Sequence, residues 1–558
     1  MLLDTLMSAR DLGRLNHIAA ILMRFGFGDT VRRLGMSNAL KSAGELLNWE
    51  EAAELATLEP PQRVRRAMEE MGPSFVKLGQ ILSTRVDLFP AEYIAEFEKL
   101  QDRAPPVPFA EIRAQVEEDV GGSLEEIFAK VEEEALAAAS IAQVHRARLK
   151  SGEEVVLKVR RPGIRAIVEA DLRLLMRLAE IAEEEVKELR RYRPREIAAE
   201  FSRSMRLELD LAAECRHAER VAANFKDDAD IGVPKVYWDW TCEQLNVQEF
   251  IDGIPGRDLE RVDRAGLDRK VIAERGADAV LKMIFQDGFF HADPHPGNVF
   301  YLPGNRIVFV DFGMVGRLTA QRQHQLVEVL TAVVQRRARP AVHNLLLWAD
   351  EDEEIDEAAL TRDVEAFIDR VHATPLKAFN LPQVVTEWIA VMRGHDLVLP
   401  PDLSMLIKAF LSLEGMARQL DPDFDVMEAT KPYLERAALA YYAPTAVLSR
   451  SREEIAGLAE LMASLPGDVA AFMRSTRKKG IELKVDIERT ERLIQHFDRA
   501  LSRLTLGILI AAVVIGSSIV MTAAGGQTPI GLSFFAMLGF VAAVAGSVWM
   551  IISMWRRR

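Results

Sequence analysis

The 558-residue sequence has only two cysteines, Cys215 and Cys242. Their isolation, without any paired spacing, excludes a disulfide framework and a thiolate metal site and favours a reducing compartment. A basic excess is also missing. With 70 Lys and Arg against 84 Asp and Glu, the net charge of −14 argues against a general nucleic-acid binder, which must neutralise phosphates. The amino-terminal stretch "MLLDTLMSARDLGRLNHIAAILMRFG" never runs long without a charge and has no small-residue cleavage site, so no signal peptide is expected. A last absence is positive evidence. From Leu504 to Trp555, 52 consecutive positions carry no Asp, Glu, Lys or Arg, and "GGQTP" at 525–529 interrupts them once. Each half has about 20 apolar residues, the length of a membrane-crossing helix, so residues 504–555 read as a transmembrane hairpin. Arg499, Arg503 and Arg556–Arg558 flank the hairpin while its connecting loop is uncharged, which predicts that both ends face the cytoplasm. Small residues at Gly539, Ala542, Ala543 and Gly546 would let two such helices approach closely, and a homodimer is the expectation they raise.

Ahead of the hairpin the chain is long enough for several structural units. Residues 1–60 alternate apolar and charged positions at helical spacing and end at "EPPQ". A helical extension over 61–130 comes next, with a Gly-Pro break between two helices. Residues 131–256 hold a strand-like zone, "EALAAASIAQVHRARL" and "VVLKVRRPG" around a turn containing Gly152, then a helical insertion and the short strand "LNVQEFIDGIP". From 257 to 449 the pattern is helical apart from "NRIVFVDFG". Residues 450–503 form an amphipathic linker in which Arg474, Arg477, Lys478 and Lys479 could rest on an anionic lipid surface. The fold class expected is α+β, mostly helical, with one small sheet early in the chain.

Chemistry concentrates in few places. In "IVFVDFGMVG" an apolar strand delivers Asp311 to its end. Thirteen residues upstream is Asn298, and five before that is Asp293, so two carboxylates and an amide come from one loop and the next strand. Mg²⁺ prefers such oxygen ligands and takes phosphate oxygens for the rest. Lys158, alone in the β-branched run "EVVLKV", would by alternation point to solvent, unless a carboxylate downstream claims it. The segment "RLELDLAAECRHAERV", read as one helix, supplies Glu214, with Asp210 one turn earlier on the same face and Glu208 about 120° away. Lys158, Lys77 or a metal could balance the stacked pair. The run "ALAAAS", residues 135–140, stands where a kinase has its glycine-rich phosphate loop, although an alanine run on its own reads as helix. His291 and His295 are expected to brace the loop rather than bind zinc, since no further ligands have suitable spacing.

The segments "FVKLGQILSTR", "AAASIAQVHRA", "VVLKVRRPG", "ELDLAAE", "FHADPHPGNVF", "VDFG" and "LIKAFLSLEGMARQLDPDFD" together resemble the UbiB family of atypical protein-kinase-like proteins, from about residue 60 to the hairpin. The loop alone would also suit aminoglycoside or choline kinases; the KxGQ segment and the alanine run separate them. The resemblance implies a bilobal protein-kinase-like fold with a small β-sheet N-lobe, a helical C-lobe and the carboxyl-terminal hairpin. It implies that Lys158 contacts nucleotide phosphates with Glu214 as partner. Asp293 would be the catalytic aspartate, and Asn298 and Asp311 the metal ligands. Ala137, Ala138, Ala139, Ser140 and Glu249 join Lys158 as candidate nucleotide-binding residues. Lys77 and Gln80 match the family's KxGQ motif, which covers the site where a kinase receives a protein substrate, and Glu208 and Asp210 match its ExD motif. ATP and Mg²⁺ are the implied cofactors. Membrane lipids, quinone precursors and quinone-biosynthesis enzymes are the implied partners, and a bacterial inner membrane is the implied location, with the catalytic unit cytoplasmic. The function expected is a Mg-dependent ATPase supporting ubiquinone biosynthesis, with a protein or lipid kinase and a nucleotide-gated scaffold as alternatives.

Overall fold

In a β-strand, alternate side chains take opposite faces, and "EVVLKVR" divides in that way. Val155, Leu157 and Val159 are fully buried on one face, while Val156 and Lys158 turn to the other and line a cleft. Each buried aliphatic side chain there contributes about 1.5–3 kcal/mol relative to exposure. The computed structural model describes residues 9–28, 55, 58–83, 85, 89–100, 104–185, 193–348, 355–373, 381–395, 397 and 399–442, all within the first of two units, 1–448.

Four helices come first: α1 (Ala9–Arg24), α2 (Pro60–Met71), α3 (Pro73–Leu82) and α4 (Ala91–Phe97). After α5 (Phe109–Val120) and the short α6 (Leu124–Ile127) come β1 (Phe128–Val131), β2 (Ala137–Ala138), β3 (Ala142–Leu149) and β4 (Glu154–Arg160). Helices α7 (Ile164–Glu185), α8 (Pro194–Glu208) and α9 (Leu211–Asn224) precede β5 (Ile231–Gly232), β6 (Leu245–Glu249) and β7 (Ile254–Pro255). The remainder is α10 (Leu259–Arg264), α11 (Arg269–Lys282), β8 (Phe289–His291), β9 (Val299–Leu302), β10 (Arg306–Phe309), β11 (Val315–Arg317), α12 (Ala320–Val334), α13 (Ala338–Trp348), α14 (Glu357–Ala373), α15 (Leu381–Gly394), α16 (Pro401–Leu420) and α17 (Val426–Tyr442).

Strands β1-β3-β4-β6 form an antiparallel sheet with β2 added to β3, in a register that sets Val144 and Asn246 on either side of Lys158. Its apolar face packs on Ile112 and Val116 of α5. A second core joins Ile18 of α1, Phe75 and Leu78 of α3, Val168 of α7 and Met205 of α8. It is pinned where the buried Asp171 carboxylate accepts from Arg14 Nε at 2.6 Å and Ser74 Oγ at 2.6 Å. The largest core lies among α11 to α17 and the strands β8 to β10.

Two features depart from the sequence reading. Beyond residue 257 the chain carries four short strands, β8 to β11, where the sequence pattern predicts only one, and with β5 and β7 they build two further sheets, β5-β10-β9-β7 and β11-β8. At two to four residues these are too short for a period of two to register. The segment 206–221 is not one helix either. It breaks at Leu209–Asp210, because the Asp210 carboxylate accepts from the Ala213 N–H at 3.1 Å and so caps the start of α9. Asp210 and Glu214 therefore do not stack at i and i+4. The alanine run is strand and turn, in keeping with the strand-like zone expected there: Ala137 and Ala138 pair with Val144 and Gln143, and the Ala139 N–H reaches the Ala142 carbonyl at 2.9 Å. Among the described residues no helix is long and apolar enough to cross a membrane, and the hairpin at 504–555 lies outside them.

Candidate nucleotide site

Lys158 leaves the centre of β4 on the cleft face, and Glu214 rises from the first turn of α9, where the Asp210 cap fixes the helix start. Lys158 Nζ lies 2.9 and 2.8 Å from the two Glu214 carboxylate oxygens and 3.7 Å from Asp311 Oδ2. Burial by itself would lower the Lys158 ammonium, but Asp311 and then Glu214 outweigh it and hold the pKa above the ordinary lysine value. Glu214, 8 % exposed, is pushed up by burial against the pull of Lys158. Asp311 is held down at about 2, chiefly by the Lys158 ammonium, so it is a carboxylate at any physiological pH.

Asp311 comes just after β10 with φ of 62°, a left-handed conformation that costs a non-glycine residue energy and that clusters at functional sites. It is supported by the Gly313 N–H donating to Oδ1 at 3.2 Å and by the His217 ring nitrogen facing the Phe312 carbonyl at 3.2 Å. The loop before β9 is braced from within. His291, buried, accepts the Asp293 N–H on Nδ1 at 3.1 Å, and burial lowers its pKa to about 4, so it stays neutral. The His295 ring takes the Gly297 N–H at 2.9 Å. Asn298 Nδ2 donates to the Asp293 carbonyl at 3.3 Å, which leaves its Oδ1 for a cation, and the Val310 N–H bonds the Asn298 carbonyl at 2.9 Å. One ionised carboxylate and one amide oxygen form a donor set that fits a hard cation completed by phosphate oxygens. Among the described residues no cluster of three or more His, Cys, Asp or Glu offers a different metal centre.

All these groups open into one cleft of about 1510 Å³, whose walls include Lys77, Gln80, Ala137, Ala139, Lys158, Glu208, Glu214, Glu249, Asp293, Asn298 and Asp311. The KxGQ helix α3 is part of that wall. Lys77 Nζ meets Glu208 Oε1 at 2.5 Å and Gln80 Nε2 donates to the Leu100 carbonyl at 3.2 Å. Three candidates are placed elsewhere. Asp210 caps α9, pairs with Arg216 at 2.8 Å and is not part of the cleft lining. Ser140 lies 5 % exposed under the alanine turn, outside the cleft lining, and Ala138 points its carbonyl to the Ala104 N–H at 3.1 Å. Glu249 lines the cleft while also accepting the Lys235 N–H at 3.2 Å. Sequence reasoning missed Lys408 of α16, whose Nζ lies 3.2 Å from Asp293 Oδ2. The signal was present as the single charge inside "LSMLIKAFLSL".

A strand lysine paired with a helix glutamate under a tight turn, facing an Asp-Asn loop and a strand-end aspartate, defines a kinase-like protein of an atypical kind, with alanine at the turn where kinases use glycine. Family models agree: the ABC1 atypical kinase-like domain matches residues 99–345, the UbiB helical domain 364–425, and the ABC1/UbiB kinase-like C-terminal domain 488–556. A curated "Probable protein kinase UbiB" from Azotobacter vinelandii is 36% identical over 452 residues, covering 79% of this chain and 83% of that protein. One of the same name from Pseudomonas putida is 37% identical over 407 residues, covering 72% and 75%. The chain belongs to the ABC1/UbiB family. The solved Rv3197–erythromycin complex from Mycobacterium tuberculosis is similar at 21% identity with a TM-score of 0.45, over 68% of this chain and 94% of that one.

Proposed function

We propose that this chain is a membrane-anchored, Mg²⁺-dependent ATPase that supports ubiquinone biosynthesis, held in the bacterial inner membrane by the hairpin at 504–555. The observation that carries the reading is a complete Lys158–Glu214–Asp311 set in a cleft whose wall is locked by the Lys77–Glu208 ion pair of α3. Lys158 would hold the nucleotide phosphates, and Asp311 and Asn298 would hold Mg²⁺, which when bound neutralises phosphate charge. Asp293 would accept the proton of the attacking water as its oxygen bonds to the terminal phosphorus and the bond to ADP breaks. With α3 in the cleft wall, water or a small membrane-borne acceptor fits better than a protein side chain. The relatives' name, protein kinase, favours the second reading, transfer to a protein hydroxyl.

The test is steady-state ATP hydrolysis by the full chain, with and without Mg²⁺, anionic liposomes and a phenolic quinone-precursor mimic, beside a phosphotransfer assay. Turnover should need Mg²⁺, rise with liposomes and fall by about 100-fold or more in Asp311→Asn, with melting unchanged within a few degrees. Parental turnover in Asp311→Asn sinks the metal assignment. Labelled protein or lipid product in place of free phosphate replaces the ATPase reading with the kinase one.

A further inference from the structure

We infer that Lys408 is a positioning residue for the reaction at Asp293, supplied by α16 because the loop itself holds no cation. The stretch from His291 to Phe300, "HADPHPGNVF", contains no Lys or Arg. Lys408 Nζ stands 3.2 Å from Asp293 Oδ2, and Ser412, one helical turn later, places its hydroxyl 3.5 Å from Oδ1. Residues at i and i+4 share a helix face, so one face of α16 addresses both oxygens of the carboxylate. The face turned away from them anchors the helix: Leu403, Leu406 and Leu413 are buried in the large carboxyl-terminal core.

Cost argues that the charge is there for the site. Lys408 is the single ionised side chain in "LSMLIKAFLSL", with its own side chain only 20 % exposed. An ammonium so placed is expensive unless paired, and a leucine or methionine would pack there without that cost. Its contacts are Asp293, the Met314 sulfur at 3.8 Å, and electrostatically Glu98, whose carboxyl is pushed up by burial and drawn back down by Lys408. Held between Nζ and the Ser412 hydroxyl, the carboxylate keeps one orientation, and a base must hold its orientation to accept a proton efficiently. Lys408 thus acts through Asp293 and leaves nucleotide binding to Lys158.

This inference rests on the ATP-turnover reading above, and the experiment separates the two. The full chain is compared with Lys408→Met, Lys408→Gln and Lys408→Arg for MgATP turnover, KM for ATP, and binding of a fluorescent ATP analogue. Both neutral variants should lose kcat by about 10- to 100-fold, as for a misaligned base, with KM and analogue affinity within about twofold. Lys408→Arg, which keeps the charge, should regain a large share of the lost rate. A folded neutral variant with kcat within twofold of the parent overturns the inference, as does a loss in which KM rises and analogue affinity falls in step with the drop in kcat, or one that Arg leaves as deep as Met and Gln do. If Met does not fold, Gln carries the comparison. A parental chain that binds the analogue but hydrolyses no ATP sinks the ATPase reading and this inference with it, whereas an active parent beside an active neutral variant sinks the inference alone.

Discussion

His291 and Asp311 show how burial and charge set protonation in opposite ways within one site. For Asp311 the Lys158 ammonium dominates and the carboxylate is stabilised, whereas for His291 burial dominates and the neutral ring is kept. The sign for His291 is clear. Its folded pKa of about 4 lies below the ordinary 6.5, so the unfolded chain binds a proton that the folded chain refuses. Its contribution to stability is therefore fully present above pH 6.5 and drains away as pH falls toward 4, by up to roughly 3 kcal/mol. Denaturation midpoints measured from pH 7.5 to 4 should fall in the parent and fall less steeply in His291→Asn, where Asn can still accept the Asp293 N–H. Parallel slopes would show that other groups govern the acid limb. Lys158 is legible in the sequence only as a candidate, because alternation says which face a side chain takes and not whether that face meets water. Its partner lies 56 positions away in α9, and nothing local in the sequence joins the two.

Among the elements, α3 is closely packed at its centre. Gly79 sits between Lys77 and Gln80, and a Cβ there would lie 2.1 Å from Leu100 Cδ1 and 3.0 Å from the Met68 sulfur. A Cβ at this close approach of α3 to the residues after α4 thus fits only if the Leu100 and Met68 side chains shift. Gly79→Ala should cost about 1–3 kcal/mol by overpacking, and adding Leu100→Ala should recover part of that loss in a double-mutant cycle. Strictly additive losses in urea denaturation would mean that the strain is relieved somewhere other than Leu100. The hairpin of β3 and β4 is readable from two β-branched runs and the turn at Gly152, whose φ of 106° few other residues adopt. The helix break at Asp210 is not, because helical periodicity continues through a residue whose capping role shows only when its side chain turns back onto its own backbone.

At the scale of the molecule, the catalytic unit and the apolar carboxyl-terminal stretch make distinct claims. Residues 504–555 should anchor the protein. The full chain should sediment with membranes and a chain ending at 503 should lose most of that fraction, while a reporter fused after Arg558 should be active only on the cytoplasmic side. A periplasmic reporter signal would reverse the proposed orientation. By itself the sequence determined the membership of the set: the strand lysine, the Asp-Asn loop, the strand-end aspartate and the KxGQ and alanine segments, each of them a local pattern whose residue types fit phosphate and a hard cation. Tertiary structure alone decided which of them meet. It drew Glu214, Asp311 and Lys158 together, gave Glu208 to Lys77, withdrew Asp210 into a helix cap, and brought in Lys408 from 115 positions beyond Asp293. Pairing of that kind depends on distance through the folded core, and distance in space is the quantity that a pattern along one chain does not contain.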